Sequence, residues 1–395
     1  MKSNLMDVPR AGRLLGRFPT RDEMMTFDRS MMTHDASGNH MGRPLTDTMG
    51  RRTSVRTHDG KTCDSSGAFL VGELERLDQT LHDPLVSVTW GRDIDLREDV
   101  TIADEISSFT NSFYGSASGL GAGQGILTGK AWAGKNTDQI TGVDVDISKT
   151  PQPLTVWAME LKYTILELES AAKLGRPIDE QKYKGLQMKH QMDIDEQVYV
   201  GDSNIIVSGT QAATGLVNST LVTPVNVSTV SGNTTWASKI NAGLYDAVTG
   251  DVNTLLTNVW AASGWAIVPN RLLLPPADFG LISTQKVSTA GNVSILKYIQ
   301  ENNILTTSGR GKLEIYPLKW LNGAGASGTI GTGGAGHDRM VAYTKDKDRV
   351  RFPMTMLQRT PVQYDSLWHK STYFCRLGVV EFPYSITVGY ADGLS

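Results

Sequence analysis

Tyr183, Leu186, His190, Ile194 and Val198 recur three or four positions apart, one stripe of a helix predicted over 178–200. Lys182, Lys184, Lys189 and Glu196 fall on the other face. Pro177 precedes the run, and Asp179 and Glu180 occupy its first turn, where negative charge meets the positive end of the helix dipole. Gly201-Asp202 supplies a C-terminal stop. At about 1.5 Å per residue such a helix is roughly 35 Å long, a strut across a domain rather than the wall of a pocket.

Around this strut the pattern predicts sheet, short helices and loop. Phe69, Leu70, Leu74, Leu77 and Leu81 share one face of a short amphipathic helix, closed by Pro84, and 86–94 reads as a strand. Residues 99–136 read as a long hairpin. Its first arm carries Ile102, Ile106, Phe109 and Phe113, its tip is the glycine-rich run 116–125, and its second arm is 126–132. Such a hairpin is too polar to hold a core of its own, so it is expected to pack on another chain. Val143, Val145 and Ile147 alternate with polar residues and predict a half-buried strand; alternation resumes over 155–163. Leu161, Ile165, Leu168 and Ala172 then switch to helical spacing, ending at Gly175. From 219 to 336 the texture is α/β. Helical stripes start near Thr235 and again at Leu255, and buried strands are predicted at 265–268 and 272–276. A helix over 294–299, a strand over 313–320 and a glycine-rich surface loop over 322–336 follow. Strands at 340–343 and 350–356, joined by a tight charged turn at 345–348, and a strand at 378–383 close the chain. If these last strands return to the strut, 219–336 is an insertion into a discontinuous domain.

Composition sets the first 66 residues apart. They hold eight of the fourteen methionines, and eleven Lys and Arg against eight Asp and Glu, a net of +3. Aromatics are reduced to Phe18 and Phe27, too little apolar surface to offset chain entropy alone. The segment reads either as a tail or as an arm ordered along a neighbouring subunit, its methionines serving as adaptable contacts. The whole chain is nearly neutral at −3, which does not suggest a dedicated nucleic-acid binder. Two cysteines, Cys63 and Cys375, exclude a disulfide scaffold and fit folding in a reducing cytoplasm. No apolar run reaches membrane-spanning length, and no signal-peptide core opens the chain, so no membrane association is expected.

Catalytic constellations are not found. The run Gly119–Gly125 has Gln124 where GxGxxG needs its last glycine and contains no GKS or GKT, so a phosphate cradle is unsupported. The pairs Asp93/Asp95, Asp144/Asp146 and Asp193/Asp195 lack a calcium loop and read as solvated faces. The seven histidines form no HExxH or i,i+4 pair. His190 lies on the apolar stripe and reads as a buried, hydrogen-bonded histidine. Neither cysteine has a nearby base in sequence. Tyr364, Trp368, Tyr373, Phe374 and Phe382 read as core and interface packing rather than a binding platform. No catalytic residue, cofactor or metal site is expected.

The order of these pieces carries a resemblance. Tyr163-Thr-Ile-Leu-Glu-Leu168 leads into paired helices, and Gly201-Asp202 with Gly215-Leu-Val-Asn218 closes the strut. Ser263-Gly264, Pro269-Asn270, Leu273-Leu-Pro-Pro276 and Gly291-Asn-Val-Ser-Ile-Leu296 follow, then Arg376-Leu-Gly-Val-Val380, Tyr384 and Tyr390-Ala-Asp-Gly393. Over about 68–395 the chain resembles the major capsid proteins of tailed bacteriophages, the Hong Kong-97-type shell fold shared with encapsulins. The resemblance implies an α+β fold with an N-terminal arm (1–66), a helix and strand (67–98) and an extended hairpin loop (99–136). A peripheral domain (137–218 and 337–395) would carry the spine helix 178–200, and an inserted α/β axial domain would span 219–336. It implies a non-enzymatic subunit that assembles with itself into hexamers and pentamers of an icosahedral shell around double-stranded DNA. Decoration, scaffolding and portal proteins would be its partners, and it would be made in the bacterial cytoplasm and located in the virion. The extended loop would reach over the adjacent subunit, making Phe109, Phe113, Leu120, Lys130, Trp132 and Lys135 candidate inter-subunit contacts. Some relatives join Lys to Asn between subunits, and Lys130 and Lys135 lie in the corresponding loop.

Other readings differ in what they predict. A nanocompartment shell of the same fold would hold cargo enzyme instead of a genome. An unrelated α/β enzyme built on 219–336 would turn over a small molecule. A tail or adhesin subunit would form fibres or trimers.

Overall fold

The computed structural model describes residues 83–116, 132–136, 142–174, 178–207, 209, 211–288, 292–326, 328–331 and 337–394, together with two short strands before them. The chain divides into two units, 1–85 and 86–395. In the first, β1 (Ser54–Arg56) pairs antiparallel with β2 (Thr62–Asp64). The amphipathic helix expected over 69–81, the rest of the arm and most of the glycine-rich tip lie outside the described residues.

The second unit begins with a single helical turn, α1 (Trp90–Asp93), and β3 (Asp95–Arg97). Two eleven-residue strands follow, β4 (Ile106–Ser116) and β5 (Val143–Pro153), then β6 (Thr155–Thr164) and α2 (Ile165–Leu174). The strut is α3 (Ile178–Tyr199), with acidic residues in its first turn; Leu186, His190, Ile194 and Val198 are buried as the spacing predicts, while Tyr183, at the head of the same stripe, is exposed. Short strands β7 (Ile206–Val207), β8 (Gln211–Ala212) and β9 (Val225–Asn226) lead to α4 (Trp236–Asn241) and α5 (Tyr245–Ala262). Thr235 opens α4 through a capping box with Ser238. Then come β10 (Arg271–Leu274), α6 (Pro276–Thr284), α7 (Ile295–Glu301), α8 (Ile304–Thr307) and β11 (Glu314–Pro317). The chain ends with β12 (Arg339–Tyr343), β13 (Arg351–Pro353), β14 (Gln358–Arg359), β15 (Gln363–Asp365), β16 (Trp368–Leu377) and β17 (Val388–Asp392).

One sheet organises the centre, in the order β11-β10-β12-β17-β9. Its inner strands are buried on both faces, which is why Arg271–Leu274 and Arg339–Tyr343 read as nearly unbroken apolar runs. Leu273, Val341, Tyr343 and Tyr390 face a core shared with Ile194, Val198 and Tyr199 of the strut. Leu272, Leu274, Met340 and Ala342 face a second core built by α4, α5, α6 and α7. A smaller sheet pairs β16 with β6 over ten residues, flanked by β14 and β15, and α3 lies against it through Leu186 and Tyr373.

The exit from the strut explains the glycines found there. Gly201 adopts φ +78°, the left-handed turn that stops the helix. Gly215 lies so close to the Tyr199 backbone that a Cβ would meet its carbonyl at 2.3 Å. Asn218 completes the seam, accepting from the Gly215 amide at 2.7 Å and donating to the Val200 carbonyl at 2.9 Å.

Several expectations are corrected. Residues 86–94 are not a strand: Asp195 accepts from the Thr89 and Trp90 amides at 2.8 and 3.0 Å and turns the chain into α1. Residues 265–268 and 378–383 form no strand. The strands at 339–343 and 351–353 are not partners across a tight turn. The first pairs with β10 and β17, the second with β3. The helical stripe from Thr235 breaks after Asn241, where Gly243 takes φ +75°. The run 322–336 does not begin as a surface loop, because Gly323, Ala324 and Gly325 are buried. The central sheet also crosses the boundary expected at 336/337, since β12 and β17 join the sheet of the supposed insertion.

Candidate assembly interface

The long hairpin is built differently from its sequence reading. β4 pairs along its whole length with β5, from Ile106↔Pro153 to Ser116↔Val143, and not with 126–132. Two strands of eleven residues at about 3.3 Å each make a ribbon roughly 36 Å long. Its base is fastened to the body by charge. Glu381, fully buried, accepts from Arg97 at 3.1 Å, from Arg351 at 2.7 Å and from the Ser107 hydroxyl. Arg97 also donates to the Ser108 carbonyl at 3.0 Å. Arg376 bridges the entering and leaving chains, donating to the carbonyls of Ile102 at 2.7 Å and Leu154 at 3.1 Å. Asn111 donates to the Pro383 carbonyl at 3.2 Å.

The register sorts the ribbon into two faces, because paired residues of an antiparallel ladder point the same way. Ser107 and Asn111, which contact the body, share their face with Phe109, Phe113, Asp144 and Asp146. The opposite face carries Ile106, Tyr114, Val143, Val145 and Ile147, exposed at 61, 46, 60, 56 and 67%. The strand 143–148, expected to be half-buried, is therefore exposed on both faces, with its apolar side uncovered. Tyr114, Val143, Val145 and Ile147 adjoin one another, an exposed apolar patch of the kind that suits an interaction surface, while Ile106 stands apart at the ribbon's base.

Of the six candidate contacts, Phe109 and Phe113 are half-buried on the body-facing side and do not join the uncovered face. Trp132 and Lys135 are exposed in the short described stretch 132–136. Leu120 and Lys130 lie outside the described residues. Sequence reasoning does not single out Tyr114, Val145 and Ile147, the residues of the uncovered face. Their signal is the Val-Asp-Val-Asp-Ile alternation, which distinguishes two faces without saying which one meets solvent.

The body that holds the ribbon is joined by buried polar groups. Asp93 and Asp195, expected from sequence to be solvated, are both buried. Asp93 accepts from the Tyr199 hydroxyl at 2.6 Å and from Arg271 at 3.1 Å, linking the strut to β10. Asp195 also accepts from the Trp320 indole at 2.7 Å. Arg339 donates to Asp392 at 2.6 and 2.8 Å and to the Val217 carbonyl at 2.8 Å. Such charges are stable in the interior only because each is paired.

One pair of potentially reactive side chains meets in the interior. Cys375 lies 3.3 Å from the His190 ring, a pairing that sequence spacing does not reveal. Burial pushes the thiol up to about 12 and pulls the imidazole below its ordinary range, so neither group is activated. Trp157 packs on His190 at 4.7 Å and fixes it in the wall between strut and sheet. Among the described residues no cluster of three or more His, Cys, Asp or Glu is placed to hold a metal. None of the described helices is long and apolar enough to cross a membrane.

The family sequence model described as major capsid protein matches residues 129–394. Among solved structures, the capsid of Myoviridae phage XM1 is similar at a TM-score of 0.61 and 14% identity, covering 83% of this chain and 100% of that one. A mycobacterium phage Ogopogo structure follows at 0.48 and 8%, with 82% and 99% covered. The capsid of an empty GTA particle stands at 0.45 and 12%, with 82% and 97% covered. No curated protein matches the sequence.

Proposed function

Because this chain belongs to the major capsid protein family, and is thus a structural subunit of a capsid shell, we propose that it closes an icosahedral head around double-stranded phage DNA, with the β4–β5 ribbon as the joint between copies. The observation that carries the reading is the ribbon's free face: Tyr114, Val145 and Ile147 are held outward with their side chains exposed. A charge-fastened base keeps the ribbon from folding back. A second copy is the economical partner, since every subunit offers the same face at the same concentration.

Hexamers and pentamers are the rings in which the copies meet, and the shell is assembled in the host cytoplasm. Decoration, scaffolding and portal proteins are further partners. Phe109 and Phe113 stiffen the ribbon, while Trp132 and Lys135 belong to the segment that joins its two strands. The near-neutral net charge of −3 suits a wall that encloses DNA without gripping it. No enzymatic step is assigned to the chain. The domain limits follow the sheets: 219–336 with β12 and β17 as the axial part, the remainder of 137–395 as the peripheral part.

The double substitution Val145→Asp and Ile147→Asp tests the joint. The expected outcome is a soluble full-length subunit with unchanged circular dichroism and no shells by negative-stain microscopy. Normal shells from this variant would refute the role given to the ribbon.

A further inference from the structure

Trp265 carries the backbone of a glycine. Its φ is +64°, a left-handed conformation that a bulky aromatic residue rarely adopts. The surroundings hold it there. The Trp265 amide donates to the Trp260 carbonyl at 2.9 Å, and the Trp260 indole donates back to the Trp265 carbonyl at 2.7 Å. Arg310 donates to the next carbonyl, Ala266, at 2.8 Å and lies 5.4 Å from the Trp260 ring centre. The two indoles meet edge to face at 4.9 Å. Despite all this Trp265 is 55% exposed. It fills no core, so the strain maintains a large apolar side chain at the surface.

The same region carries a mainly apolar recess of about 260 Å³, lined by Leu221, Val225, Leu255, Val259, Ala262 and Ile386, with Thr223, Asn258 and Ser385 as its polar members. Leu221 and Val225 stand exposed at its rim, beside β9, the edge strand of the central sheet. Knob and recess lie on different flanks of α5. At about 100° per residue, Trp260, on which Trp265 packs, sits roughly 130° around the helix from Leu255, Val259 and Ala262 taken together. A projecting ring on one flank and a hollow on another is the arrangement that joins identical copies head to tail, which gives a closed ring when the rotation between copies closes.

We infer that Trp265 of one copy inserts into the Leu221–Val225–Ile386 recess of the next copy around a ring. The inference rests on the shell reading above and adds the pair of surfaces that meet around the ring axis. A second copy is the occupant because a rigid exposed tryptophan and an apolar hollow of matching chemistry are both present on every subunit. Buried tryptophans dominate such contacts.

Two variants of the full-length chain test it. Trp265→Gly removes the ring and suits the left-handed backbone. The inference expects an unchanged or higher melting temperature for the free subunit and at least about a tenfold rise in the protein concentration needed for shells, the loss typical of one buried anchor. A lower melting temperature with unchanged assembly would overturn it, showing the ring to be structural. In the second, a photo-reactive benzoylphenylalanine replaces Trp265, and irradiated shells are digested and mapped. Adducts between copies at 219–226 or 385–390 support the inference, and adducts elsewhere, or none, overturn it. If the parent chain forms no shells at all, the shell reading itself fails; shells with adducts elsewhere leave that reading standing and remove only this contact.

Discussion

Asp278 is the residue whose environment contradicts its chemistry most plainly. It is buried near the start of α6, and its Oδ2 has no hydrogen-bond partner among the described residues. Burial first, and the nearby charge of Asp338 second, push its carboxyl from 3.8 up to about 7. Between those values the folded chain holds a proton that the unfolded chain has lost. Stability therefore falls as pH rises from about 4 to about 7, by an amount on the order of a few kcal/mol. Asp278→Asn removes the titration. Melting of the free subunit should then be flatter across that window and higher than the parent's at a pH of about 8; an unchanged slope would show that Asp278 is not the group responsible. Local pattern carries no warning of this. Asp at the third position of a helix usually reads as a solvated partner of the dipole, and only tertiary burial removes the water. Asp93 and Asp195 teach the same lesson in reverse, because each is buried yet well partnered.

At the scale of elements, the ribbon depends on its seat. Glu381 neutralises Arg97 and Arg351 while holding Ser107, so Glu381→Gln weakens the hold on both arginines by removing their shared counter-charge. Breaking such a pair costs about 3–5 kcal/mol when fully buried, and the low end applies here because both arginines keep some solvent. Hydrogen exchange of amides 106–113 should quicken in this variant while α5 stays protected. Equal protection in both would mean that backbone pairing alone fixes the ribbon. The strut, by contrast, is legible in the sequence. Its period, acidic start and glycine stop are local properties, and α3 ends close to its predicted limit, at Tyr199. The ribbon's first arm is legible too, but its partner is not. Strand pairing is set by contacts distant in sequence, and both 126–132 and 143–148 offer a run that could serve as a partner.

The whole molecule from 86 onward is organised by a sheet with a core on each face. The strut covers one face and α5 the other, so neither core survives loss of the sheet between them. A single cooperative thermal transition is therefore expected for the free subunit by calorimetry; two resolved transitions would show that the two cores unfold independently. Periodicity and turn chemistry in the sequence determined the strut, the capped helices, the buried strand at 271–274 and the glycine–asparagine exit at 215–218, because each depends on neighbours within a few residues. The order of those pieces was enough to identify the family. Tertiary structure alone decided which strand completes the ribbon, which of its faces is uncovered, which aspartates lose water and where the last strands join. Those outcomes depend on what is brought against each residue from far along the chain, and an alternating or charged pattern is compatible with several such neighbours.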